Sequence, residues 1–443
     1  VTGPYAPGVT GGGRGRIIAW GLWDWGSSAF NAVIGTFVFA VYLTGSVGAD
    51  LPGPVSANSW LGYTLGAAGL AVALLAPVIG LRADATGHRR RSVGIWTALV
   101  VACTAAMFGV QDDHRWFALG LLLLGLGSIC FELASVPYNA LLIGVSTPAT
   151  IGRVSGFGWA MGYLGGIFLL LLSYVGFIAG DGGLAGLPTE NGFNIRVVAL
   201  VAAAWFALFA LPLFAWVPEP PRAADRTARP GGLLAGYRTL LGDLRTLYRR
   251  APHTVYFLAA SALYRDGLAA IFAFGGVLAV TVYGIDAADV LIFGVVANVT
   301  AAAGALVAGW FDDRIGPKAV IIGSLLGMLI AGTVLLAVSG PVAFWIVGLA
   351  LTLFVGPAQA SSRTFLARLA PPGHEGQLFG LYATTGRAVS FLAPTLVGLC
   401  TQLFGADRAG IVGILVVLGI GLIALWPVRP PITERVSAAR GTA

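Results

Sequence analysis

Five ionisable residues stand inside runs that are otherwise apolar. Asp24 lies in W-G-L-W-D-W-G-S-S-A-F-N, Glu132 in S-I-C-F-E-L-A-S-V-P-Y-N-A, Arg265 and Asp266 in A-L-Y-R-D-G-L-A-A-I, and Arg387 in A-T-T-G-R-A-V-S-F. An ionised group facing lipid is costly, so each needs a partner, a bundle interior or a water-filled cavity. Carboxylates that share a cavity can take up and release protons, which makes Asp24, Glu132 and Asp266 candidates for proton coupling. A guanidinium offers a two-pronged donor to a carboxylate, which makes Arg387 and then Arg265 candidates for holding a substrate anion. The plainer readings stay open. Asp24 or Glu132 can be locked by an arginine, Arg387 can be satisfied by helix carbonyls or by Asp266, and Arg363 in A-S-S-R-T-F can snorkel from a span end. Asn31, Asn139 and Gln359 are polar at membrane depth, and Tyr138, Trp159, Tyr163 and Tyr264 accompany Trp20, Trp23, Trp25 and Phe30. These line a pocket for a small solute, or they serve as helix glue, interfacial belt and core.

The elements that must position them are membrane helices. Of 443 residues, 57% are hydrophobic and 10% charged, with a mean hydropathy of +0.85. Soluble domains carry about 25% charged residues. Apolar runs of roughly 20 residues separated by turn signals indicate an all-α integral membrane protein rather than a barrel. Twelve spans are expected, at 17–44, 58–81, 92–110, 115–146, 154–180, 195–217, 253–283, 287–311, 319–338, 341–369, 376–403 and 407–428. They divide into bundles at 17–217 and 253–428, flanked by a disordered 1–16 and a cytoplasmic tail at 429–443. The apolar run after Arg14 and Arg16 is too long for a signal peptide and reads as the first span. The linker 218–252 contains L-L-A-G-Y-R-T-L-L-G-D-L-R-T-L-Y-R-R, either an amphipathic helix on the membrane surface or an ordinary linker helix.

A ten-residue phrase occurs twice. G-L-R-A-D-A-T-G-H-R starts at Gly80 and G-W-F-D-D-R-I-G-P-K at Gly309. Gly80, Asp84, Gly87 and Arg89 match Gly309, Asp313, Gly316 and Lys318 at a constant offset of 229. A repeat half a chain apart implies two similar halves. If both termini are cytoplasmic, 21 of the 26 cations fall on the cytoplasmic side and only Arg115, Arg196 and Arg408 lie outside. That bias sets orientation and places both phrases in cytoplasmic loops.

The phrase resembles the loop signature of the major facilitator superfamily, whose loops latch the two halves in the outward-facing state. The resemblance assigns gating to Gly80, Asp84, Gly87, Arg89, Arg90, Gly309, Asp313, Arg314, Gly316 and Lys318. Ala85 stands where the family has a cation, retained in the second copy as Arg314, so a weaker first latch is expected. W-D-W-G-S-S-A-F, F-E-L-A-S-V-P-Y-N-A, G-W-A-M-G-Y-L-G-G, L-Y-R-D-G and A-S-S-R-T-F-L-A-R-L-A-P-P-G-H-E-G-Q-L-F-G-L-Y together resemble a narrower group, the bacterial relatives of the yeast vacuolar amino-acid effluxers of autophagy. Asp24, Glu132, Tyr138, Asn139, Asp266, Arg363 and Gly380 fall on that group's motifs. Ala40 replaces a proline common there, which is expected to straighten span 1.

The resemblance implies a twelve-helix major facilitator fold and a proton-coupled secondary transporter that exports a small metabolite, an amino acid or other zwitterion, by alternating access. A drug or lipid exporter of the same fold and a non-transporting sensor are the alternatives. An enzyme is disfavoured: there is no zinc spacing, nucleophile elbow or phosphate-binding loop, and Cys103, Cys130 and Cys400 have no paired spacing. The expected partners are lipid, a small solute and protons, with no nucleic acid, metal or cofactor. A monomer in the bacterial inner membrane, with both termini cytoplasmic, completes the reading.

Overall fold

The computed structural model describes residues 13–219 and 233–429. Most of the expected disordered N-terminus, the proline-rich opening of the linker and the tail beyond Arg429 lie outside the described residues. Within them the protein is helical, and twelve helices are long and apolar enough to cross a membrane. The first half comprises Arg14–Val47, Ala57–Thr86, Arg89–Gly109, His114–Ala140, Ile151–Ile178 and Glu190–Trp216, spans 1 to 6. The second comprises Pro252–Thr281, Asp289–Ile315, Pro317–Ala337, Pro341–Leu369, Glu375–Phe404 and Asp407–Leu425, spans 7 to 12.

Several spans are broken, and the sequence gives the cause. Span 10 consists of Pro341–Leu353 and Val355–Leu369. Pro357 has no N–H for the Leu353 carbonyl, and Gly304 of span 8 packs directly against that carbonyl. Span 11 breaks between Glu375–Val389 and Leu392–Phe404, where Pro394 cannot bond back to Ser390. Span 1 is not straight despite Ala40. Its helix Arg14–Ala29 passes into a wider-wound Phe30–Phe37, and the backbone bends at Val38 (φ −116°). The expected straightening therefore does not occur, because the distortion lies upstream of residue 40.

The halves meet most closely at the end that carries the repeated loops. Span 2 crosses span 11 where Ala76 and Gly80 face Gly376 and Gly380; a side chain on Gly80 or Gly380 would overlap backbone of the opposite helix. Span 8 crosses span 5 in the same way, with Ala305 and Gly309 facing Gly152 and Gly156. Small residues four apart let helix backbones touch, and the gain is dispersion and packing rather than water release. Pro77 leaves the Ala73 carbonyl without its helical donor, and the Thr384 hydroxyl of span 11 donates to it at 2.9 Å. The linker helix Leu233–Arg250 buries Leu240 and packs Tyr237, Leu244 and Leu247 against the bundle. Its apolar face therefore meets protein, as the linker-helix reading of this segment has it, rather than the membrane surface.

Candidate transport site

At the loop end, each repeated aspartate caps a helix of the other half. Asp84 accepts from the amides of Gly376 (3.0 Å) and Gln377 (2.8 Å) at the start of span 11. Asp313 accepts from the amides of Gly152 (2.7 Å) and Arg153 (3.1 Å) at the start of span 5. A carboxylate at a helix N-terminus satisfies orphan donors and faces the positive end of the dipole. Arg89 bridges Asp84, at 2.7 Å, and Glu375. Arg153 reaches Asp313 at 2.9 Å, and Arg368 lies 3.3 Å from Asp312. Gly87 holds a left-handed φ of 69° that ends span 2, and Gly316 a φ of 86° that ends span 8, conformations that suit glycine.

Three of the expected gating cations stay within their own half. Arg314 stacks on Trp310 at 3.4 Å, Lys318 donates to the Trp426 carbonyl, and Arg90 binds the Val217 carbonyl and Glu219. The expected difference in latch strength rested on Arg314, and that side chain stacks on its own helix. Arg314 adds nothing across the interface, whereas the first latch holds a buried Asp84–Arg89–Glu375 cluster.

Above the latch lies a cavity of about 1690 Å³, lined by both halves. Its lining runs to Thr36, Ser46, Tyr174 and Leu291 at the far ends of spans 1 and 5 and the start of span 8. The cavity thus opens at the end opposite the latch.

Two ion pairs cross it. Arg363 Nη1 of span 10 lies 3.3 Å from Asp24 Oδ2 of span 1. Arg363 also donates to Ser155 Oγ (3.0 Å), the Ser155 carbonyl (2.6 Å) and Asn139 Oδ1 (3.3 Å), and lies over the Trp20 ring at 4.8 Å. It is buried, so it does not snorkel. Gly158 makes room for the pair: a Cβ there would lie 2.6 Å from Asp24 Oδ2 and 2.8 Å from Arg363 Nη2. Span 1 is fixed against span 4 beside this pair. Tyr138 stacks between Trp20 (4.9 Å) and Trp23 (4.0 Å), and its hydroxyl donates to the Trp20 carbonyl at 3.1 Å.

The second pair joins Glu132 of span 4 to Arg387 of span 11 and is partly exposed. Glu132 is seven residues, about 10 Å, from Asn139 along span 4 and nearer the mouth. Asp24 and Glu132 are thus tied to different arginines of the second half rather than to each other. Asp266 accepts from the Ala393 amide at 2.6 Å. It caps the second segment of span 11 and, like Asp24 and Glu132, lines the cavity. Among the described residues Arg265 meets no carboxylate; it stacks on Tyr382 at 3.7 Å and donates to the Tyr382 carbonyl.

Of the remaining candidates, Asn31, Trp159, Tyr163 and Gln359 line the cavity, with the Tyr163 hydroxyl donating to Gln359 at 3.3 Å. Tyr264 does not. It is fully buried and shares a 2.7 Å hydrogen bond with Ser362 inside the second half.

Sequence reasoning missed Ser155, Gly158, Glu375 and the second glycine repeat. Gly152 and Gly156 match Gly376 and Gly380 at an offset of 224, a signal as regular as the loop repeat.

Two six-helix halves, latched at one end around a central cavity, define a secondary transporter of the major facilitator superfamily. Residues 146–431 match the family model described as vacuole effluxer Atg22 like, and the chain belongs to that family. The chain is 25% identical to the uncharacterized MFS-type transporter YxiO of Bacillus subtilis, over 92% of this chain and 93% of that one. It is 27% identical to autophagy-related protein 22-1 of Aspergillus fumigatus, over 62% of this chain and 48% of that one, so it spans about half the fungal relative's length. Among solved structures it resembles the human organic anion transporter MFSD10, with a TM-score of 0.69 at 16% identity over 96% of this chain and 100% of that one. It also resembles the fucose:proton symporter FucP of E. coli, with a TM-score of 0.68 at 14% identity over 93% and 97%. At such identities the likeness is one of fold.

Proposed function

We propose that the protein exports a small zwitterionic metabolite, of the amino-acid kind, by alternating access, with proton movement coupled through Asp24. One observation carries the reading: Glu132 and Arg387 meet on the wall of an open cavity, one from each half. A solute bearing an ammonium and a carboxylate can take the place of each partner for the other, so neither charge is left without a counter-charge as it binds. Trp159, Tyr163 and Phe272 supply apolar lining of the same cavity. The deeper Asp24–Arg363 pair bridges the halves and has the geometry of a switch. A proton on Asp24 removes its charge and leaves Arg363 with Ser155, Asn139 and the Trp20 ring but no counter-charge at Asp24. The cation bias supports a cytoplasmic latch, cytoplasmic termini and a bacterial plasma membrane. In that orientation the described state is outward-facing.

A drug or lipid exporter is the second reading, favoured by a cavity larger than the roughly 300–1,000 Å³ usual for ligand pockets. Thermal unfolding of the purified protein against amino acids and against lipophilic cations separates the two, since a ligand of the native state raises apparent stability. Stabilisation by amino acids alone supports the proposal; stabilisation by lipophilic cations alone refutes it.

A further inference from the structure

The linker helix carries a feature that the transport cycle does not use. Tyr237, Leu240, Leu244 and Leu247 form the face that meets the bundle, and the Tyr237 hydroxyl donates to the Leu74 carbonyl of span 2. At about 100° per residue, Asp243 lies on one flank of that face. Its carboxylate accepts from the Gln377 side chain at 3.3 Å, so this flank looks toward the latch at the middle of the molecule.

The opposite flank therefore looks outward. It carries Arg238, Arg245 and Arg249, spaced seven and four apart and all exposed. No acid stands three or four residues from any of them, so the helix itself supplies no counter-charge. Tyr248 sits on the seam between the arginines and the packed face. Its ring meets Tyr256 of span 7 edge-on at 6.2 Å, and both tyrosines are exposed, as is Trp216 at the end of span 6. Exposed aromatics at span ends mark the headgroup level of a bilayer. Those aromatics put the three arginines at headgroup level, and among the described residues no carboxylate pairs with them.

We propose that Arg238, Arg245 and Arg249, with Tyr248 and Tyr256, form a binding site for the phosphate-bearing headgroup of anionic phospholipids in the leaflet at the latch end. Basic residues on an amphipathic helix at the surface attract anionic lipid additively. This inference does not depend on the identity of the solute.

The test uses the full chain in nanodiscs of phosphatidylcholine mixed with phosphatidylglycerol, with lipids retained after gentle extraction measured by native mass spectrometry. The wild type is expected to retain phosphatidylglycerol over phosphatidylcholine by about tenfold. The triple variant Arg238→Gln, Arg245→Gln, Arg249→Gln is expected to fall to within about twofold, while its melting in pure phosphatidylcholine stays at the wild-type value. The variant Arg14→Gln, Arg16→Gln, Arg429→Gln, which removes equal charge elsewhere, is expected to keep the preference. Undiminished preference in the linker variant, or equal loss in both variants, overturns the site.

Discussion

Arg363 of span 10 and Asp24 of span 1 lie 3.3 Å apart and join the two halves at the floor of the cavity. Substitution of Arg363 by Gln leaves Asp24 in a buried site without its counter-charge. Loss of one member of a buried pair costs about 3–5 kcal/mol. Arg363→Gln is therefore expected to lower the melting temperature more than Arg387→Gln does, because the Glu132–Arg387 pair is partly exposed and such pairs contribute about 0–1 kcal/mol. Equal melting temperatures would remove the distinction between a deep pair and a wall pair.

The wall pair is expected to act on solute instead. With a stabilising amino acid in hand, Arg387→Ala should weaken its binding by at least about tenfold, the loss expected for a charge-assisted hydrogen bond. Arg387→Lys should recover part of it. Isothermal titration of the purified variants reads both, and unaltered affinity in Arg387→Ala would displace the solute from this arginine.

Latch asymmetry gives a third prediction. Asp84→Asn keeps one acceptor at the start of span 11 but loses the other, and it leaves Arg89 and Glu375 without their third charge. Asp313→Asn likewise keeps one acceptor at the start of span 5, and it leaves Asp312 beside Arg368. Asp84→Asn should therefore open the latch more, by about 5-fold or greater in latch-end accessibility for a loss of about 1 kcal/mol or more. Cysteine labelling at the latch in each background measures this. Greater opening in Asp313→Asn would restore the order suggested by Ala85 and Arg314.

Glycine crossings give a fourth. A side chain on Gly80 meets the Gly376 backbone, and one on Gly156 meets the Ala305 carbonyl. Backbone cannot retreat without parting the helices. Gly80→Val and Gly156→Val should each favour the state open at the latch end. Distances between spin labels across the latch should lengthen in both, and distances unchanged from wild type would show that the crossings do not hold the closed state.

Much of this architecture was legible in the chain. Apolar runs and turn signals gave twelve spans to within a few residues, because lipid forces every backbone group into a helix. The loop repeat pointed to the latch because its turn needs glycine at residues 87 and 316 and its caps need aspartate at residues 84 and 313. The partners were less legible. Arg363 reads as a residue near a span end, and only the packing of span 10 against spans 1, 4 and 5 buries it. Tyr264 looked like cavity lining because helix rotation is not fixed by an almost wholly apolar sequence. Arg314 looked like a latch cation until its stacking partner, four residues earlier on the same helix, was visible.

Proton coupling through Asp24 is the central claim, and proteoliposomes test it most directly. An inward-directed and an inverted pH gradient are imposed on vesicles holding wild type or Asp24→Asn, with a stabilising amino acid as labelled solute. The account predicts gradient-driven accumulation by wild type and none above background in Asp24→Asn, while solute exchange across the membrane in the absence of a gradient persists in the variant. Gradient-driven accumulation by Asp24→Asn at the wild-type rate would contradict it.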